Sequence, residues 1–314
     1  MVLALVFPGQ GSQSVGMGRD LADAFPAARA VFEEVDEALG QKLSQIMWQG
    51  PQETLTLTEN AQPALMAVSI ALIRVLEAER GFSIAEKVRF VAGHSLGEYS
   101  ALAAAGTFSL ADAARLLKLR GQAMQKAVPV GVGAMAALLG VGMDVAIKVA
   151  AEAAQGDVCD VANDNDAGQV VLSGHKSAID RVAEIGKKYG VRRAMPLPVS
   201  APFHCALMQP AADAMAQALV TVEMRAPCVP VMANVLAAPI TDPADIRRRL
   251  VEQVTGTVRW RECVLAMAAA GVTTFLEIGS GKVLTGLTGR IDKSLQAQAI
   301  GTPADIEAAQ AFLV

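Results

Sequence analysis

Short, nearly uninterrupted apolar runs alternate along this chain with longer segments in which apolar positions recur every three or four residues. Val2 to Phe7 and Val88 to Ala92 are of the first kind; Asp20 to Leu39, Gln62 to Glu79 and Leu96 to Ala105 are of the second. A short continuous apolar run predicts a strand buried on both faces, and a period near 3.6 predicts an amphipathic helix. Their alternation predicts a parallel sheet covered by helices on both sides.

From about Val130 to Val199 the rhythm changes. Ala134 to Val141 reads as a strand, Asp144 to Gln155 as a helix, Asp157 to Ala162 and Gln169 to Ser173 as strands, Ser177 to Tyr189 as a helix and Val191 to Leu197 as a strand. That order, βαββαβ, is the ferredoxin-like pattern. Pro129-Val130-Gly131-Val132-Gly133 precedes it and Pro196-Leu197-Pro198 ends it, both suited to domain crossings. Helical Cys205 to Val220, strand Val229 to Asn234, helical Pro243 to Gln253 and Arg261 to Ala270, and strand Thr273 to Ile278 follow. The expected fold is therefore α/β: a large, discontinuous, α/β-hydrolase-like domain with a parallel sheet (1–129 and 200–314), carrying an inserted small ferredoxin-like domain (130–199).

Composition narrows the function. With 53% hydrophobic and 18% charged residues over 314 positions, the chain has the makings of a packed core and not of a disordered one. A net charge of -4 offers no uniform basic surface for a phosphate backbone, so nucleic acid is not expected as a partner. The longest apolar stretches, Ala64 to Ile73 and Val264 to Leu276, fall short of the roughly 18 residues of a membrane span, and no membrane partner is expected. Met1 to Phe7 lacks a basic leader and runs into Pro8-Gly9-Gln10-Gly11, so it reads as the first buried strand and not as a secretion signal. Cys159, Cys205, Cys228 and Cys263 contain no C-x-x-C pair, which fits a reducing cytoplasm. Three histidines, His94, His175 and His204, with no H-x-x-x-H pair, do not assemble a closed metal site at familiar spacing, and metal-free chemistry is expected.

Gly93-His94-Ser95-Leu96-Gly97 matches G-x-S-x-G between a predicted strand and a predicted helix. Small residues on both sides let a serine sit on a strained turn with its Oγ exposed, beside a helix N-terminus that favours negative charge. Ser95 is the candidate nucleophile, and the amide of Leu96 would point at an oxyanion. Of the possible bases, His94 adjoins Ser95 and diverges from it, supporting the elbow, and His175 opens a helix in the small domain as a polar helix-start residue. His204, where the chain re-enters the large domain, is left as the partner of Ser95. No carboxylate is singled out to orient it; a neutral carbonyl can fix the histidine tautomer equally well.

Arg120 lies on an otherwise apolar helical pattern. It is open to two readings: a snorkelling arginine whose stem covers apolar surface, or a bidentate fork for a buried substrate carboxylate. Three glycine-rich segments fail as nucleotide loops. Gly9-Gln10-Gly11 has Ser14 at the third glycine position, Gly131-Val132-Gly133 precedes a strand, and Gly279-Ser280-Gly281-Lys282 lacks the flanks of a P-loop. The first can still lend the Gln10 amide to an oxyanion hole.

Phe7-Pro8-Gly9-Gln10-Gly11-Ser12, Gly93-His94-Ser95-Leu96-Gly97-Glu98-Tyr99, Arg120-Gly121, Gly168-Gln169-Val170-Val171, His204 and Gly279-Ser280-Gly281-Lys282-Val283-Leu284, in this order and spacing, strongly resemble the malonyl-CoA:acyl carrier protein transacylases of fatty acid synthesis. The resemblance spans nearly the whole chain. It implies Ser95 as nucleophile, His204 as general base and acid, Arg120 as clamp for the malonyl carboxylate, and the amides of Gln10 and Leu96 as oxyanion hole. Gln253 aligns with a glutamine whose main-chain carbonyl orients the histidine. Malonyl-CoA is then the substrate, with no bound cofactor, and the phosphopantetheine thiol of acyl carrier protein the acceptor. Two departures, Ser280 and Thr257 where proline is common, do not touch this chemistry. Phe203 stands where several bacterial members have serine, and by resemblance to polyketide acyltransferases it implies malonyl over methylmalonyl.

Because acyl carrier protein is acidic, its docking patch is expected to be basic: Lys187-Lys188, Arg192-Arg193 and Arg247-Arg248-Arg249 are candidates. Three other readings share parts of the site: a serine esterase or thioesterase, which needs no Arg120; a non-catalytic carrier-binding module; and a discrete acyltransferase for polyketide synthesis or malonate use.

Overall fold

The computed structural model describes residues 1–313. Among these, ten strands form two sheets: β1 (Leu3–Phe7), β2 (Val88–Gly93), β3 (Gly133–Leu139), β4 (Cys159–Asp166), β5 (Gln169–His175), β6 (Arg193–Pro196), β7 (Val231–Ala233), β8 (Ala238–Ile240), β9 (Thr274–Ile278) and β10 (Gln296–Ile300). The first sheet has the order β10-β9-β1-β2-β7-β8, parallel throughout except for β8, which runs antiparallel to β7.

Its central strand shows why both faces are apolar. Leu3, Leu5 and Phe7 of β1 enter one core with the long helix Thr58–Arg80, whereas Ala4 and Val6 enter a second core with Trp260, Met267 and Leu284. Successive strand residues point to opposite faces, so a strand covered on both sides must be apolar at every position. Thr58–Arg80, at 23 residues, is long and apolar enough to cross a membrane, yet 83% of its most apolar window is buried inside the protein; it is a core helix.

The second sheet has the order β4-β5-β3-β6 and is antiparallel throughout. With helices Met143–Ala154 and Lys176–Lys188 the chain order over this segment is βαββαβ. Leu138, Val170 and Leu172 pack with Val149 and Val182 of those helices, while Met135, Ala137 and Val171, on the opposite face, join the core of the first body. Strand β4 is also stitched to the first body: Val258 N–H donates to Ala162 O at 2.9 Å, Asp164 N–H donates to Val258 O at 2.9 Å, and the buried Asp164 carboxylate pairs with Arg261 at 3.0 Å.

Several elements depart from the sequence expectation. Asp20 to Leu39 is two helices, Arg19–Ala24 and Pro26–Leu39, broken at an extended Phe25 because the ring of Pro26 disfavours a helical residue before it. Cys205 to Val220 opens as a 3₁₀ turn, Ala206–Met208, before the helix Gln209–Thr221. Strands β8 and β10 carry weak signals. Pro239 lies within β8, tolerable only at an edge, and β10 is a half-buried Gln-Ala-Gln-Ala-Ile at the other edge.

Candidate active site

The C-terminal ends of β1 and β2 carry the site, the position where parallel α/β sheets place ligands. Between Gly93 at the end of β2 and the helix Gly97–Ala104, Ser95 adopts φ 56°, the left-handed region that L-residues avoid. The flanking glycines are steric necessities. A Cβ on Gly93 would lie 1.9 Å from the Gly97 carbonyl carbon, and one on Gly97 would lie 2.3 Å from Phe7 O. Asn234, just beyond β7, holds the turn from beneath: its Oδ1 accepts from Ser95 N–H at 2.8 Å and its Nδ2 donates to Gly93 O at 2.8 Å.

His204, buried and also left-handed at φ 59°, places Nε2 2.7 Å from Ser95 Oγ. Its Nδ1 lies 2.8 Å from the main-chain carbonyl of Gln253, an acceptor only, so Nδ1 carries the proton and Nε2 is free to accept from the serine. Burial, and then the Arg120 charge, pull the His204 pKa down to about 3, so the ring is neutral at physiological pH. That is the state a general base needs.

Arg120, from the helix Leu110–Ala127, is 1% exposed. The snorkelling reading does not describe it, because the guanidinium itself is buried. Nη1 donates to Gln62 Oε1 at 2.8 Å; Nη2 donates to Gln253 Oε1 at 2.9 Å and to Ser95 Oγ at 3.2 Å. Among the described residues no carboxylate pairs with it and its Nε has no acceptor. Burial alone makes such a charge costly, so a site of this kind calls for an anion.

Ser95, His204 and Arg120 face a cavity of about 400 Å³ that is also lined by Gln10, Leu96, Met124, Met135 and Phe203. Among the described residues neither the Gln10 nor the Leu96 N–H has an acceptor. The loop carrying Gln10 is tied to the long helix through Thr58 Oγ1, which donates to Gln10 Oε1 at 2.8 Å.

The other two histidines serve elsewhere. His94 Nε2 pairs with Asn165 Oδ1 of β4 at 2.9 Å, linking the elbow to the second sheet. His175 precedes the helix Lys176–Lys188 but makes no side-chain cap; its Nδ1 accepts from Val158 N–H at 2.9 Å, fastening the turn before β4.

Sequence reasoning missed the polar layer beneath the elbow. Glu98 Oε2 accepts from Asn234 N–H at 3.0 Å and from Gln253 Nε2 at 2.8 Å, and burial pushes this carboxyl up to about 7 against those hydrogen bonds and the Arg120 charge. The available signal was a lone acid on the otherwise apolar first turn after the elbow.

The acyl transferase domain family matches residues 4–300. The malonyl CoA-acyl carrier protein transacylase of Escherichia coli K12 is 48% identical over 306 residues, covering 98% of each chain. That of Bacillus subtilis is 45% identical over 308 residues, covering 98% of this chain and 96% of the other. The crystal structure of acyl-carrier-protein S-malonyltransferase from Bartonella henselae superposes with a TM-score of 0.97 at 57% identity, covering 100% of this chain and 99% of that one. A malonyl-transacylase solved in complex with a type II polyketide synthase acyl-carrier protein superposes with a TM-score of 0.95 at 44% identity over 99% of each chain. With a match across almost its whole length and relatives at this identity, the chain belongs to the acyl transferase domain family.

Proposed function

We propose that this enzyme transfers a malonyl group from malonyl-CoA to the phosphopantetheine thiol of acyl carrier protein through a malonyl-Ser95 ester, in the service of fatty acid synthesis. The observation that carries the reading is the double approach to one oxygen. Ser95 Oγ lies 2.7 Å from a neutral base and 3.2 Å from a buried guanidinium that pairs with no carboxylate among the described residues. A serine hydrolase needs the first and has no use for the second.

In the proposed cycle Ser95 Oγ attacks the thioester carbonyl while His204 Nε2 takes its proton, and the oxyanion is received by the N–H groups of Gln10 and Leu96. Collapse breaks the carbon–sulfur bond, and the CoA sulfur leaves with the proton held by His204. The carrier thiol then attacks the ester carbonyl, its proton passes to His204, and Ser95 leaves and takes that proton back. Gln253 O keeps the ring in one tautomer throughout, and Arg120 holds the malonyl carboxylate. These steps use side chains and amides of the chain alone, with malonyl-CoA as substrate and no bound cofactor.

Two further assignments support this reading. We take 130–199 as a ferredoxin-like domain inserted into a hydrolase-like domain formed by 1–129 and 200–314, on the strength of the strand order β4-β5-β3-β6. For carrier docking, Lys187, Arg192 and Arg193 are exposed and free of ion pairs among the described residues, whereas Arg248 and Arg249 are engaged by Asp245 and Glu252; the first group is the better patch. Four free cysteines, three of them buried, fit a reducing cytoplasm.

The cycle requires CoA to leave before the carrier enters. Initial rates at varied malonyl-CoA and several carrier concentrations should give parallel double-reciprocal lines; lines that intersect would indicate a ternary complex and no acyl-enzyme.

Phe203, 9% exposed, stands in the cavity wall beside His204. Its ring crowds an α-methyl branch, so methylmalonyl-CoA should be the poorer substrate. Phe203→Ser should shift the kcat/KM ratio toward methylmalonyl-CoA by roughly tenfold, the value of one misfitted methyl group. Equal use of the two substrates by the unaltered enzyme would refute the assignment.

A further inference from the structure

Glu98 sits on the first turn after the elbow, is 1% exposed, and makes no ion pair among the described residues. Its Oε2 remains an acceptor whether or not Oε1 carries a proton, and it accepts from the Gln253 amide nitrogen at 2.8 Å. The same nitrogen lies 3.1 Å from Ser95 O and 3.2 Å from Asn234 Oδ1, both acceptors. An amide whose NH2 group faces three acceptors must turn its oxygen the other way, and Gln253 Oε1 duly receives Arg120 Nη2 at 2.9 Å. Reversing that amide would set NH2 against guanidinium and oxygen against carboxyl, donor on donor and acceptor on acceptor. Of the three acceptors that keep the Gln253 oxygen turned toward Arg120, Glu98 makes the shortest contact, and losing it loosens the amide that holds the guanidinium.

We propose that Glu98 is a positioning residue: through the Gln253 side chain it aims Arg120 at the acyl carboxylate and so sets the preference for carboxylate-bearing acyl groups. The inference rests on the proposed clamp role of Arg120. It differs from a purely structural role for Glu98 in one respect. A residue that only supports the elbow lowers all acyl transfers alike, and a residue that aims Arg120 lowers malonyl transfer more than acetyl transfer.

The test is the ratio of kcat/KM for malonyl-CoA over acetyl-CoA in Glu98→Met, which cannot accept, in Glu98→Gln, whose oxygen still can, and in Arg120→Ala as reference. Glu98→Met should lower the ratio about tenfold, Glu98→Gln should restore most of it, and adding Glu98→Met to Arg120→Ala should change it no further. Gln253→Met, which retains the main-chain carbonyl that orients His204, provides the same comparison if Glu98→Met does not fold by thermal melting. A ratio held within twofold in the folded variant, while Arg120→Ala collapses it, overturns the inference and leaves the clamp intact. A ratio unmoved by Arg120→Ala overturns the clamp, and this inference with it.

Discussion

Ser95→Ala should reduce CoA release from malonyl-CoA by roughly 10⁴-fold or more, the scale on which covalent catalysis fails when its nucleophile is removed. The fold should survive the change. Alanine removes one hydroxyl from a turn whose left-handed geometry is held by Asn234 and by the two glycines that no other residue can replace, so thermal stability should stay near that of the unaltered protein. His204 and Arg120 would remain, and with them the capacity to bind malonyl-CoA. A thiol-release assay together with substrate binding by calorimetry separates the two quantities. Residual turnover above about a hundredth of the normal rate, with binding intact, would mean that another group is acylated.

Arg120→Ala should cost malonyl-CoA about 10²- to 10³-fold in kcat/KM, the usual consequence of removing one partner of a buried charge-assisted contact. Acetyl-CoA, which has no carboxylate to hold, should respond differently. Arg120 is one of the causes of the depressed His204 pKa, so its removal lets the ring move back toward its ordinary value and makes it a stronger base while still neutral above that value. Acetyl transfer at neutral pH should therefore hold or rise as malonyl transfer falls. Arg120→Lys should recover only part of the malonyl rate, since an ammonium keeps the charge without the planar fork that bonds Gln62 and Gln253 at once. Equal losses for both substrates would make Arg120 a structural residue only.

The sequence made the proposed nucleophile and base legible for different reasons. Ser95 is legible because the chemistry of a strained elbow imposes small residues at fixed positions between a strand and a helix, and all of these signals are local. His204 is legible by scarcity, because three histidines leave few choices and the other two have local explanations. Arg120 stayed ambiguous, since an arginine in an apolar helical pattern looks the same whether its head reaches solvent or turns inward. The orienting acceptor was accessible only through family resemblance, because a main-chain carbonyl leaves no mark on residue type. The side-chain layer of Glu98, Asn234 and Gln253 left no mark beyond a lone acid after the elbow: it joins residues up to 155 positions apart, and no periodicity carries information over that separation. The weakest strands, β8 and β10, were missed because edge positions demand neither unbroken apolarity nor the exclusion of proline.

In the proposed cycle a malonyl group passes through Ser95 to a carrier thiol and is not given to water. Intact mass spectrometry of the protein after mixing with malonyl-CoA, followed by addition of phosphopantetheinylated acyl carrier protein, reads that passage itself. A single malonyl adduct that forms on the unaltered chain, is absent from Ser95→Ala, persists without carrier and moves to the carrier on addition is the result predicted here. An adduct that never forms, or one lost equally fast whether or not the carrier is present, would contradict it.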